Sequence, residues 1–161
     1  MVDKKGHIRL ISTGLVAENR KARFNYTITE TFEAGLSLTG AEVKSLRQGR
    51  ANITDGYATP DGNNIIINNI TIGKYDSENI FAMHTEKRPR QLLLKRGEIK
   101  RLIGLYNKER ITIVPLKLYF TERGLAKLLI GVGQGKNAVD KRQTIKEREW
   151  KREKARLMKH N

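Results

Sequence analysis

Over residues 24–38 the bulky apolar side chains keep one parity: Phe24, Tyr26 and Ile28, then Phe32, Ala34, Leu36 and Leu38. A period of two predicts half-buried strand, because successive Cβ atoms point to opposite faces. The pattern gives two strands bent near residues 33–35. Thr39-Gly40-Ala41-Glu42 reads as a capping box, with threonine at the N-cap and glutamate three residues on. It opens a short helix over 42–48, with Val43 and Leu46 inward, Lys44, Ser45 and Arg47 outside, and Gly49 as its stop. Residues 52–58 and 64–72 follow as strands around a Pro60-Asp61-Gly62 turn. Ile99, Leu102, Ile103 and Tyr106 recur at helical spacing and predict an amphipathic helix over 94–108. Residues 111–120 and 127–132 read as two more strands, joined by a turn at Glu122-Arg123-Gly124. Pro115 pushes its strand toward an edge or a bulge. About six short strands, two helices and glycine-marked corners predict a mainly β fold, a small closed antiparallel barrel.

The pattern changes after residue 133. From Asn137 onward there is no glycine or proline, and the apolar residues thin out to Val139, Ile145, Trp150, Leu157 and Met158. They form no continuous i, i+3, i+4, i+7 stripe. Glu147 with Lys151 and Glu153 with Arg156 support a helix by only about 0.2–0.5 kcal/mol each. The segment is therefore expected to be disordered alone and helical when docked on something anionic. The expected division is a body over 1–133 and a basic tail over 134–161.

Charge gives this division a meaning. The 161 residues carry 32 Lys and Arg against 17 Asp and Glu, a net charge of +15. Ten of the basic residues and four of the acidic ones lie in the tail, which holds +6 of that total. A chain this basic has nucleic acid or an anionic membrane as its default partner. No apolar run approaches the ~18 residues a membrane span needs, and residues 1–14 lack the apolar core of a signal peptide. Cysteine is absent, which removes disulfides, cysteine-based zinc sites and thiol nucleophiles. The expected location is the cytoplasm, with no membrane partner.

Catalytic constellations are not apparent. His7, His84 and His160 show no metal-ligand spacing, and the serines show no nucleophile elbow. Gly131-Val132-Gly133-Gln134-Gly135-Lys136 approaches a phosphate loop, but Ile130 stands where its first glycine belongs and Asn137 where Ser or Thr would follow the lysine. No enzyme activity, metal or cofactor is expected.

Three basic segments remain in the body: Asn19-Arg20-Lys21-Ala22-Arg23-Phe24, Glu42-Val43-Lys44-Ser45-Leu46-Arg47, and the run from Lys87 through Arg88, Arg90 and Lys95 to Arg96. Each is either a solvated surface or a set of phosphate contacts for a structured nucleic acid. A ribosomal protein lying structurally in rRNA would share this composition and is the alternative reading.

These segments also carry a resemblance. Asn19-Arg20-Lys21-Ala22-Arg23, Phe32-Glu33-Ala34-Gly35, Gly40-Ala41-Glu42-Val43-Lys44-Ser45-Leu46-Arg47, Leu92-Leu93-Leu94 and Asp140-Lys141-Arg142 occur in this order, ahead of Ile145-Lys146-Glu147-Arg148-Glu149-Trp150. Together they resemble the SsrA-binding protein family, small protein B, from about residue 8 to the C-terminus. The resemblance implies an OB-like barrel that binds the tRNA-like domain of transfer-messenger RNA (tmRNA), one protein per RNA. It further implies a tail that enters the decoding site and empty mRNA channel of a stalled ribosome, so that the nascent chain is tagged and the ribosome rescued by trans-translation. On the RNA side it implies Asn19, Arg20, Arg23, Glu33, Lys44, Arg47 and Leu93, to which the basic segments add Lys21 and Arg90 as candidate phosphate contacts. On the ribosome side it implies Gly135, Lys136, Asp140, Lys141, Arg142, Lys146 and Arg148. Trp150, a lone tryptophan among cations, suits stacking or docking there. Asn137-Ala138-Val139 departs from the family, which has a second lysine and then a larger or aromatic residue before Asp-Lys-Arg. Gln91 stands where the family has a basic residue.

Overall fold

The computed structural model describes residues 9–75 and 85–159; His7, His84 and His160 lie outside them. In chain order the elements are β1 (Gly14–Glu18), α1 (Ala22–Asn25), β2 (Tyr26–Leu36), α2 (Gly40–Arg47), β3 (Ala51–Asn52), β4 (Tyr57–Asp61), β5 (Asn64–Asn68), β6 (Thr71–Ile72), β7 (Arg90–Leu93), α3 (Arg96–Lys108), β8 (Thr112–Phe120), β9 (Ala126–Gly135) and α4 (Ala138–Lys159). Strands β8, β4, β5, β7, β2 and β9 follow one another in hydrogen-bonded order, and β9 returns to β8. The result is a closed ring of six antiparallel strands, as the parity pattern implies. β1 adds to the exposed part of β8, and β3 pairs with β6 in a separate ribbon.

Inward side chains fill the ring. Phe32, Ala34 and Leu36 of β2 meet Ile65, Ile67, Leu92, Ile113, Leu118, Phe120, Leu128, Ile130 and Val132 in one cluster. α2 inserts Leu46 and α3 inserts Leu102, both fully buried. A second cluster lies on the outside, where Ala22 of α1 packs on Val114 and Leu116, with Tyr26, Ile28 and Leu129 around them. Two bulges make this possible. β2 shifts register between Ile28 and Glu30, and β8 shifts between Pro115 and Lys117. Each bulge changes which parity faces inward, so one strand serves both clusters.

Several expectations are corrected. Residues 26–36 form one strand rather than two, because β9 pairs with β2 as far as Gly35. Pro60 lies in β4 opposite Ile65, and the turn falls on Gly62-Asn63, with Gly62 at φ +58°. The strand expected over 64–72 breaks at Asn69, whose φ of +57° no extended strand accepts. On α2, Ser45 is buried rather than outside, and its hydroxyl donates to the Gly73 carbonyl. On α3, Leu105 packs against the core while Tyr106 is exposed. β1, α1 and β7 carry too few apolar positions for periodicity to reveal them. The capping box at Thr39 is present: its hydroxyl accepts from Glu42 N–H at 3.2 Å, and the Glu42 carboxylate accepts from Thr39 N–H at 3.0 Å.

The tail forms a helix from Ala138 to Lys159, with no buried residue along its 22 positions. Its start is fixed locally. Asn137 Oδ1 accepts from Asp140 N–H at 2.9 Å, and Lys136 N–H donates to the Asn25 carbonyl at 2.8 Å.

Candidate nucleic-acid interface

Strand register lays out the outer face of the barrel. Glu18, Lys117, Leu129 and Glu33 fall side by side across β1, β8, β9 and β2. In the next outward row stand Leu15, Tyr119, Lys127, Gly35 and, across β7, Leu93. Gly35 has no side chain, and a Cβ there would come within 3.2 Å of the Leu93 Cβ. Leu93 therefore lies over Gly35, 53% exposed, while its neighbour Leu92 fills the core. Tyr119 donates its hydroxyl to the Glu33 carboxylate. Burial, and then this bond to a carboxylate, push the Tyr119 phenol up to about 12. A groove runs beside these residues, with Asn64, Gln91 and Lys95 on its walls. Gln91 donates to the Asn64 side-chain carbonyl at 3.3 Å.

The structure thus brings Glu33 and Leu93 together on one outer face. It adds Lys127, Tyr119 and Asn64, which sequence inspection missed. The signal was available: aligning the 111–120 and 126–135 strands about their turn sets Lys127 beside Tyr119. A fixed acceptor, an ammonium group and an uncovered apolar side chain within two rows suit an exposed base and its phosphate.

α2 contributes a second basic patch. Lys44 is exposed, with its ammonium 5.4 Å from the centre of the Tyr75 ring. Arg47 is half-buried, and its guanidinium sits 5.0 Å from the centre of the Phe120 ring. Such stacking contributes roughly 0.5–1 kcal/mol at an exposed site and fixes the direction of the side chain.

Arg90 is corrected. It belongs to β7 with the parity of Leu92, so it points inward and is fully buried. Its guanidinium binds the Glu42 carboxylate and donates to the carbonyls of Glu86 at 3.0 Å, Arg88 at 3.0 Å and Ile70 at 3.3 Å. It cannot reach a phosphate. Glu42 is shared with Arg88. Burial alone would push the Glu42 carboxyl up, but bonds from Arg88, the Thr39 N–H and Arg90 outweigh it and hold the group below the usual range.

Asn19 is also turned inward, 5% exposed. Its amide donates to the carbonyls of Pro115 at 3.0 Å and Thr54 at 3.3 Å, and its oxygen accepts from Ala22 N–H at 3.1 Å. It ties three segments together rather than offering a contact. Arg20, Lys21 and Arg23 around it are exposed, and Arg20 reaches Glu18 at 3.6 Å.

At the root of the tail, Gly135 pairs with Tyr26. Lys136 donates from its ammonium to the Arg23 carbonyl at 3.0 Å and to the Thr144 hydroxyl at 3.2 Å. The Phe24 ring has Lys141 5.9 Å from its centre and Arg148 at 5.8 Å. Arg142, Lys146 and Asp140 are exposed, and Trp150 is 68% exposed. With 3.6 residues per turn, Lys141, Arg148, Arg152 and Lys159 align on the side facing Phe24, while Val139, Trp150 and Leu157 align on the opposite side. Among the described residues no group of His, Cys, Asp and Glu is placed to hold a metal, and no helix is long and apolar enough to cross a membrane.

A closed barrel with cations arrayed on its outside and a basic helix beyond it defines the class: a nucleic-acid-binding β-barrel protein with a cationic extension. The family model described as SmpB protein matches residues 16–160. The SsrA-binding protein of Methylobacterium sp. (strain 4-46) is 54% identical over 144 residues, covering 89% of this chain and 91% of its own length. That of Sinorhizobium fredii (strain NBRC 101917 / NGR234) is 52% identical over 156 residues, 97% of each chain. A solved chain described as "tmRNA-SmpB: a journey to the center of the bacterial ribosome" superposes with a TM-score of 0.63 at 42% identity, covering 79% of this chain and 86% of that one. The chain belongs to the SmpB family.

Proposed function

We propose that this protein binds the tRNA-like domain of tmRNA with its barrel and delivers it to stalled bacterial ribosomes for trans-translation. The observation that carries the proposal is the meeting of Glu33, Leu93 and Lys127 on one outer face of the ring, in a chain of this family. Glu33 accepts from a base amino group or a ribose 2′-hydroxyl, its orientation fixed by Tyr119. Leu93 offers an apolar seat, and Lys127, Arg20, Lys44 and Arg47 neutralise phosphates. Lys21 and Arg23 extend the charge toward the tail. Asn19 and Arg90 serve by holding the surface in shape.

The tail beyond β9 is the second functional unit; because β9 runs to Gly135, the division is drawn after residue 135 rather than between 133 and 134. Lys136, Lys141, Arg142, Lys146 and Arg148 track rRNA phosphates in the mRNA channel, and Trp150 stacks or docks beyond them. Gly135 and Asp140 shape the start of the helix. In this role the protein acts in the cytoplasm as a monomer without cofactor, and it positions an RNA without catalysing a reaction.

The test is the RNA that co-purifies with the protein from its host. A single structured RNA of a few hundred nucleotides supports the proposal. Bulk rRNA in near-stoichiometric amount on all subunits would instead make it a structural ribosomal protein.

A further inference from the structure

Glu33 and Lys127 are diagonal neighbours on the outer face of the ring. Glu33 lies opposite Leu129, and Lys127 follows on the same strand opposite Gly35. Such neighbours sit roughly 7–8 Å apart, within reach of long side chains. Yet the two are not bonded to each other: among the described residues neither forms an ion pair. The Glu33 carboxylate is held instead by the Tyr119 hydroxyl, which donates to Oε2. Glu33 is exposed, so Oε1 is open to a donor from outside.

The groove beside this pair is not built for stacking. None of its lining residues is aromatic. Tyr119 is half-buried, with its hydroxyl committed to Glu33. Gln91 and Asn64 are bonded to each other on the groove wall. Glu98 is engaged as well, accepting from the Lys95 N–H at 3.0 Å. Seats for unpaired bases are usually aromatic rings; here the apolar contact is Leu93, exposed above Gly35. What the groove offers outward is one carboxylate oxygen with a lysine beside it.

We propose that Glu33 reads a ribose 2′-hydroxyl, so that this face distinguishes RNA from DNA, with Tyr119 as the positioning residue for that reading. The inference rests on the function proposed above and names the sugar, rather than a base, as the group recognised. The 2′-hydroxyl is what separates the two nucleic acids at a given site. It donates one hydrogen bond, which matches one free carboxylate oxygen. The edge of guanine donates from two parallel N–H groups and calls for both oxygens. The 2′-hydroxyl also lies beside a phosphate of its own nucleotide. A carboxylate with a lysine diagonal to it meets the hydroxyl and the phosphate together, and the lysine offsets the repulsion between carboxylate and phosphate. Tyr119 holds Oε2, which leaves Oε1 outward and removes the two-oxygen grip.

The test measures binding of the full chain to a tRNA-like-domain RNA carrying single 2′-deoxy substitutions, placed in turn along it. At one or two positions deoxyribose is expected to weaken binding about tenfold. There 2′-fluoro, which keeps the RNA sugar pucker but has no hydrogen to donate, is expected to weaken it as much. Glu33→Ala should bind the all-ribose RNA more weakly and show no preference for ribose at those positions. Tyr119→Phe keeps the ring and should reduce the preference to about threefold. Damage to the fold would weaken every RNA alike and leave the ratio of ribose to deoxyribose binding unchanged. The inference is overturned by a preference that survives Glu33→Ala, or by full binding of the 2′-fluoro RNA. A Glu33-dependent loss when inosine replaces a guanosine would put the contact on a base and overturn it too. A preference unchanged in Tyr119→Phe removes Tyr119 from the reading. An unmodified chain that fails to bind the all-ribose RNA contradicts the tmRNA proposal itself, and this inference with it.

Discussion

Glu42 shows how residue identity and residue role can part. In the sequence it is the glutamate of a capping box; in the structure it also anchors Arg88 and the fully buried Arg90. Removing its charge strands a buried guanidinium, so Glu42→Gln should destabilise the fold by about 3–5 kcal/mol in chemical denaturation. The pH dependence follows from the sign of the shift. The folded carboxyl titrates below its unfolded value of 4.5, so its contribution is complete above that pH and is lost as pH falls through the folded value. Unfolding curves collected from pH 7 downward should show the loss in the unmodified chain and not in Glu42→Gln. Tyr119 has the opposite sense: its phenol is raised from 10.0 to about 12. Its stabilisation is complete below pH 10 and lost between 10 and 12. Absorbance titration of tyrosinate should contain a phase near pH 12 that Tyr119→Phe removes, and Glu33→Gln should move that phase down. Arg90 was misplaced on the RNA surface because the Leu92-Leu93-Leu94 run reads as a helix entry. Once it is a strand, period two puts Arg90 and Leu92 inside and Gln91 and Leu93 outside.

At the scale of elements, legibility followed apolar periodicity. β2, α2, α3, β8 and β9 each carry enough apolar residues to fix their type, and the Thr39 box marked the start of α2. β1 escaped because its five residues, with Val16 and Ala17 packed on the main core, are too few to show a period, and α1 because Ala22 serves a cluster on the outside of the barrel, which no single-face pattern describes. The bulges hid the change of face within β2 and β8 for the same reason. α4 is the element held by least. Its fixed points are the Asn137 cap, Lys136 and the two cations on Phe24. Most helical stability in proteins comes from packing of an apolar face, and α4 buries none of its residues. A peptide of residues 134–161 should therefore give a mostly unfolded circular-dichroism spectrum and gain helix when added to RNA. A fully helical free peptide would show that the tail needs neither the body nor a partner.

For the whole molecule, the net charge of +15 divides by position. One share covers the outer rows of the barrel around Glu33 and Leu93, and the other runs along a helix without a core. Composition alone showed a preference for polyanions. Register showed which cations lie beside a fixed acceptor and an exposed leucine, and the tail's root at Tyr26 lies at the opposite end of the same strand. In the proposed function these two regions serve two RNA partners. The direct measurement compares the full chain with one ending at Lys136, which keeps the whole of β9, in tmRNA gel shifts and in peptide tagging on stalled ribosomes. Retained RNA binding with abolished tagging is the predicted result. Loss of RNA binding on truncation, or normal tagging without the tail, would contradict it.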